Sequence, residues 1–197
     1  MSYEKTINDF HDSLFARHRG GDGSLGWRSK ESQQARFDAV LSQGPLDGKS
    51  VLDVGCGFGD LAPALKARAP SARYTGWDIN PQFVEVCRAT APDLTFERRN
   101  ILVDPPETPF DVILSVGPIN IELGSNEELM RRMLKAMYKS CVSHCVMSMA
   151  SRETRGGGRD FHYYDPCKML DFCFSLTKNV ILRHDYHPSD FCVFLFH

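Results

Sequence analysis

The chain has 197 residues, 42% of them hydrophobic, with 23 Lys and Arg against 25 Asp and Glu and a net charge of −2. That is the balance of a globular chain long enough for one domain with a sizeable core, and it offers no overall attraction to nucleic acid, so no nucleic-acid partner is expected. No run approaches the ~20 apolar residues of a membrane span, and the beginning, Met1-Ser2-Tyr3-Glu4, lacks a signal-peptide pattern.

In chain order, residues 1–20 read as a helix ending in the Gly-rich stretch Arg19-Gly20-Gly21-Asp22-Gly23. A second helix starts near Ser29, an N-cap type with Glu31 in the first turn; Phe37, Val40 and Leu41 form its apolar face, and Gly44-Pro45 stop it. Strand and helix patterns then alternate: strands at 50–54, 72–78, 94–99, 111–116 and 144–150, helices at 60–68, 81–90 and 126–140. Pro63 has no N–H and fits only the first turn, so its helix begins at about Asp60. Asn80-Pro81 and Asp165-Pro166 are cap-and-first-turn pairs, and Ser125-x-x-Glu128 has a capping-box pattern.

This alternation implies a parallel sheet with helices on both faces, an α/β architecture. The end of the chain breaks the rhythm. Val180-Ile181-Leu182 and the apolar run from Phe191 to Phe196 are separated by the eight residues Arg183 to Asp190, too few for a helical crossover, so the two strands pair antiparallel. Six apolar residues in succession bury the last strand on both faces. The expected organisation is one domain, with 1–44 as a helical cap and 45–197 as the core. The seven cysteines include no C-x-x-C and lie mostly in apolar runs as small hydrophobes, which points to a reducing, cytoplasmic setting and no metal site.

The most informative segment is Val51-Leu52-Asp53-Val54-Gly55-Cys56-Gly57-Phe58-Gly59, followed by Asp78. A strand ending in alternating glycines makes a tight turn that needs positive φ and lets a ligand lie against the backbone. An acidic residue ending the next strand completes a nucleoside-cofactor layout. The spacing is G-x-G-x-G, and Asp60 stands where a dinucleotide fingerprint has its third glycine. A carboxylate there repels pyrophosphate, which disfavours an NAD-linked oxidoreductase.

These residues resemble the motifs of the class I S-adenosylmethionine-dependent methyltransferases. Val51 to Gly59 match every position of the first motif, Asp78-Ile79 supplies the second, and Asn100-Ile101 stands at the third. The resemblance implies a Rossmann-like fold, a seven-stranded, mostly parallel sheet with an antiparallel last strand, here with an N-terminal helical extension. It implies S-adenosylmethionine as cofactor, cradled by Gly55, Cys56, Gly57 and Gly59. Asp78 is expected to accept from the ribose hydroxyls beside Ile79, and Asn100 with Ile101 to meet the adenine. Ser115 and Val116, at the end of the fourth strand, lie along the cofactor. Asp53 is expected to orient the glycine loop through backbone N–H bonds. Trp27 would cover the pocket, and Arg36 or Arg28 would pair with the methionine carboxylate.

The expected activity is methyl transfer to an oxygen or nitrogen of a small molecule. The alternatives are a protein or RNA acceptor reached through a partner subunit docked on the N-terminal helix, and a non-catalytic cofactor-binding module. The N-P-P-[YF] motif of enzymes methylating base or glutamine amino groups is missing after the fourth strand. In the segment Gly156-Gly157-Gly158-Arg159-Asp160-Phe161-His162-Tyr163-Tyr164, read as a mobile lid, His162 is the candidate base and the tyrosines candidate pocket residues. His144 is expected to be structural, and His184 and His187 to lie at the surface.

Overall fold

The structure is a computed structural model, and it describes residues 2–18, 23–27, 29–154, 158 and 160–197. Two helices, α1 (Tyr3–His18) and α2 (Lys30–Val40), precede the sheet. The strands are β1 (Ser50–Val54), β2 (Arg73–Asp78), β3 (Thr95–Arg98), β4 (Phe110–Val116), β5 (Cys141–Ala150), β6 (Val180–Arg183) and β7 (Asp190–Phe196). Between them run α3 (Leu61–Arg68), α4 (Pro81–Thr90), α5 (Asn126–Lys139) and α6 (Pro166–Phe174). The sheet order is β3-β2-β1-β4-β5-β7-β6. β7 runs antiparallel to both of its neighbours, and the pairings among β1 to β5 are all parallel.

Strand periodicity sorts the core into two layers. On one face Leu52, Ile113, Met147, Phe191 and Val193 pack against Leu129, Met130, Met133, Leu134 and Met137 of α5. On the other, Val51, Val112, Leu114, Val146 and Phe194 pack against Phe37, Val40 and Leu41 of α2 and its surroundings, Leu61 and Leu65 of α3, and Val84 of α4. The run Phe191 to Leu195 alternates between the two layers residue by residue and is fully buried, as a strand covered on both faces requires.

The caps read from sequence are present at three helices. Ser29 accepts from Ser32 N, Asn80 from the backbone of Gln82 and Phe83, and Asp165 from that of Cys167 and Lys168. The capping box at α5 does not form, because Ser125 makes no side-chain cap bond. Its neighbour Asn126 is buried and ties the preceding loop instead: Oδ1 accepts from Leu123 N at 2.7 Å and Nδ2 donates to the carbonyls of Ile119 and Ile121. β5 starts three residues before the expected position, at Cys141, where it pairs with Phe110. Successive strands depart in opposite directions from β1, towards β2 and towards β4. The carboxyl ends of these two strands therefore frame the crevice where α/β sheets take ligands.

Candidate functional site

The three motif glycines have φ of +77° (Gly55), +56° (Gly57) and +75° (Gly59). That backbone excludes ordinary side chains. Space excludes them too: a Cβ on Gly55 would lie 2.9 Å from Pro118 Cβ, and one on Gly57 2.9 Å from Leu25 Cδ1. The loop is held from β2. Gly55 N and Cys56 N both donate to Trp77 O, and Gly57 N donates to the Asp78 carboxylate at 2.9 Å. Asp53 therefore does not do the work expected of it. Its carboxylate accepts from Tyr74 Oη at 2.8 Å, because the β1–β2 register sets Val51 beside Tyr74 and Asp53 beside Gly76, on the same face. Burial pushes Asp53 up to about 7, against the pull of the Tyr74 hydroxyl.

Asp78 is buried at the end of β2, with Oδ1 accepting from Asn80 N at 2.8 Å and Oδ2 from Gly57 N. Burial raises its pKa to about 6, while the backbone N–H groups of Asn80, Gly57 and Ile79 oppose the rise. With these backbone donors in place the carboxylate keeps acceptor capacity for a ligand hydroxyl. Asn100 is engaged more fully than the sequence suggests: Oδ1 accepts from Leu102 N at 3.0 Å, and Nδ2 donates to Tyr3 Oη at 2.6 Å and to the Glu4 carboxylate. Its amide thus joins the end of β3 to the start of α1.

A cavity of about 230 Å³ opens over these strand ends. Asp53, Gly55, Cys56, Gly57, Asp78, Ile79, Asn100, Ile101 and Val116 are in its wall, and so are Trp27 and Arg36. Gly59 and Ser115 stand behind it. Ser115 is fully buried, and its hydroxyl donates to Val54 O at 2.6 Å, fastening β4 to β1. His162 is not in the wall. Its segment is extended, with Phe161 bridging to Ile121 and His162 N donating to Asn120 O at 2.8 Å. Alternation sends Phe161 and Tyr163 into the cavity and His162 to the opposite side, where Nδ1 lies 3.0 Å from Glu122 Oε2. Tyr164 is buried behind the wall and donates to Ile119 O at 2.7 Å. Arg28, Gly156, Gly157 and Arg159 lie outside the described residues. His144 is buried and stacked on Phe196. His184 is half-buried rather than superficial, 2.7 Å from Ser151 Oγ.

The expectation of a helical cap over residues 1–44 singled out no residue of α1 as part of the site. Tyr3, Ile7, Phe10 and His11 all line the cavity. The signal was available, since Tyr3, Ile7, Phe10 and Leu14 form an apolar stripe at helical spacing. Phe10 meets Phe161 edge-on at 6.3 Å, Asp12 accepts from Asn80 Nδ2 at 2.8 Å, and Phe15 packs on Phe58 of the glycine loop. Burial lowers His11 to about 4, so it is neutral at physiological pH. Two nitrogens in the wall, His11 Nδ1 and Trp27 Nε1, are buried without a hydrogen-bond partner.

These features fit S-adenosylmethionine. Free acceptor sites on buried Asp78 suit ribose hydroxyls, the glycine turn leaves room for a nucleoside against the backbone, and the unpartnered Trp27 N–H is a donor awaiting an acceptor. When bound, that cofactor supplies a methyl group on a sulfonium, already activated for displacement. A methyltransferase-domain family model matches residues 51–142. Over 160 residues the chain is 32% identical to the Mycobacterium tuberculosis protein named "Putative methyltransferase Rv1506c", covering 75% of this chain and 92% of that one. A shorter match, 36% identical over 77 residues, is to trans-aconitate 2-methyltransferase of Escherichia coli; it covers 39% of this chain and 31% of that enzyme. Among solved structures, magnesium protoporphyrin IX methyltransferase of Synechocystis with S-adenosylhomocysteine bound has the same fold, with a TM-score of 0.69 at 15% identity over 97% of this chain and 96% of that one. The chain belongs to the class I S-adenosylmethionine-dependent methyltransferases, and S-adenosylmethionine is its cofactor.

Proposed function

We propose that this enzyme methylates an oxygen or nitrogen of a small molecule by in-line displacement. The observation that carries the reading is the roof that α1 makes over the cavity, with Phe10, Trp27, Phe161 and Tyr163 forming a largely aromatic wall beside the cofactor residues. A mainly apolar cavity on which polar groups converge suits a small ligand better than a side chain or base presented by a macromolecule. The names of two relatives, which refer to trans-aconitate and to magnesium protoporphyrin IX, support the same class of acceptor.

Because the sulfonium is already activated, the protein's part is to align the nucleophile and exclude water, an orientation effect worth ~7–11 kcal/mol at its best. The aromatic wall and α1 serve that purpose. On this reading His162 braces the 161–163 segment through Glu122 instead of acting as a base. Residues 1–44 act as the cap and 45–197 as the catalytic core of one domain. The cysteines among the described residues are all free thiols, six of them buried, which supports a cytoplasmic enzyme; among the described residues no helix is long and apolar enough to cross a membrane.

The test is to incubate the enzyme with S-adenosylmethionine labelled at the methyl group and a total extract, then separate small molecules from protein and RNA. Label in the small-molecule fraction is the expected result. Label confined to protein or RNA overturns the proposal in favour of a macromolecular acceptor.

A further inference from the structure

Two side chains of the cavity wall have their acceptor atoms taken up by the protein and only donors left for a ligand. The first is Ser32, in the first turn of α2. Arg36 Nη1 donates to its Oγ at 2.5 Å, while Nε of the same guanidinium donates to the buried Asp190 carboxylate at 2.9 Å. His187 Nε2 lies 3.2 Å from the same hydroxyl. The other side of the imidazole gives the direction of that bond. Ser189 N donates to His187 Nδ1 at 3.1 Å, and a ring nitrogen that accepts carries no hydrogen. The hydrogen is therefore on Nε2 and points at Ser32. A hydroxyl that receives two N–H donors has both lone pairs engaged and its own hydrogen left over. Among the described residues nothing accepts that hydrogen, and Ser32 lines the cavity.

The second is Asn120, after β4. Its Oδ1 accepts from Ala150 N at 3.1 Å, at the end of β5, which leaves Nδ2 as the group for a ligand. A Cβ on Gly117 would lie 2.8 Å from that nitrogen and 3.9 Å from Trp27 Cη2, and the centre of the Trp27 ring is 5.4 Å from the Arg36 guanidinium. Asn120, Trp27, Arg36 and Ser32 thus form one stretch of wall. α2 packs over β4, β5 and β7. Gln33 turns towards the glycine loop and meets Asp60, whereas Ser32 turns towards the last hairpin. The start of β7 is three strands from β1 in the order β1-β4-β5-β7, about 14 Å at ordinary strand spacing. Asp78 lies on the opposite side of β1. The two donors therefore face the part of the cavity that a nucleoside at Asp78 leaves to the substrate.

We propose that Ser32 Oγ and Asn120 Nδ2 are specificity-determining donors, and that the substrate meets them with an oxygen that has no hydrogen of its own, a carbonyl or a carboxylate. The inference deepens the small-molecule reading and rests on it. A substrate that brings an N–H or O–H to this point would set donor against donor, and a site built to donate rejects such a group. Arg36 and His187 are positioning residues. By occupying the lone pairs of Ser32 they orient its hydrogen, and the charge on Arg36 polarises the hydroxyl and strengthens it as a donor.

The test uses methyl-labelled S-adenosylmethionine with a dilution series of the small-molecule fraction of an extract. Ser32→Ala keeps the backbone N–H capped by Ser29 and the carbonyl that accepts from Arg36 at 2.8 Å. Asn120→Asp keeps an oxygen for Ala150 N and turns the donor into an acceptor. Each should raise the amount of extract needed for half-maximal labelling about tenfold or more, with calorimetric affinity for S-adenosylhomocysteine unchanged. Ser32→Thr, which retains the hydroxyl, should behave as wild type. An equal loss of S-adenosylhomocysteine affinity, or no change in half-saturation, overturns the proposal. Mass spectrometry of the labelled product should find a carbonyl or carboxylate group, and retention on an anion exchanger separates the two; a product with neither overturns it. Nitrogen NMR should show the hydrogen of His187 on Nε2, and the other tautomer overturns it as well. If the wild type labels no small molecule, the small-molecule reading itself falls and takes this proposal with it, a result distinct from the others.

Discussion

Two buried carboxylates in the cavity wall carry opposite consequences. On the proposed reading Asp78 accepts from the ribose hydroxyls, and Asp78→Ala should weaken S-adenosylhomocysteine binding at least about tenfold, ~1.4 kcal/mol, by leaving them without a partner. Because its pKa is raised to about 6, wild-type affinity should fall as the solution is acidified through that value, with calorimetry at a series of pH values as the check. Asp53 contributes to stability instead. Its pKa rises from 3.8 in the unfolded chain to about 7 in the fold, so the folded state binds the extra proton between those values. Its stabilising contribution is complete below pH 4 and is lost as pH rises through about 7. Asp53→Asn keeps an acceptor for Tyr74 and removes the titration. Its melting temperature relative to wild type should therefore be higher at pH 8 than at pH 5; a difference that is constant with pH would refute this account.

At the scale of elements, α1 stands apart. Of its 16 residues only Ile7 is buried, and its tethers go to the cavity wall and the glycine loop: Asn100, Asn80, Phe161 and Phe58. An element with so little burial opens at low free energy. We expect the amides of α1 to exchange rapidly with deuterium in the protein alone and to slow when S-adenosylhomocysteine is added, while β1, β4 and β5 stay protected throughout. Unchanged exchange in α1 would show that it does not close over the ligand. The caps at this scale were readable because Asn80-Pro81 and Asp165-Pro166 satisfy helix N–H groups within three residues. The Ser125 box was misread because its competitor, Asn126, gains three bonds to a loop that the sequence does not locate.

For the whole molecule, the sheet is the support of the site. β7 is wedged between β5 and β6, and its side chains enter both core layers. Phe194, fully buried, should cost ~3–5 kcal/mol on truncation to Ala, measured by urea unfolding. Phe174, which is 53% exposed, should cost under ~0.5 kcal/mol in the same experiment. Similar losses at the two positions would mean that the double layer is not the source of stability.

The sequence by itself determined what short-range chemistry encodes. The glycine turn, Asp78 one strand later and the alternation of strands with helices specify a nucleoside cofactor site on a parallel sheet, because each depends on residues close together in the chain. The short link before β7 likewise forced its antiparallel direction. What only the tertiary structure decided are the directions of side chains brought together from afar. The bridge between Ile121 and Phe161 turned His162 out of the cavity, and the register of β1 on β2 gave Asp53 to Tyr74. The packing of α2 on the last hairpin gave Arg36 its partner at Asp190. A strand flips its faces with a shift of one residue, and no local pattern fixes which residue a distant segment will meet.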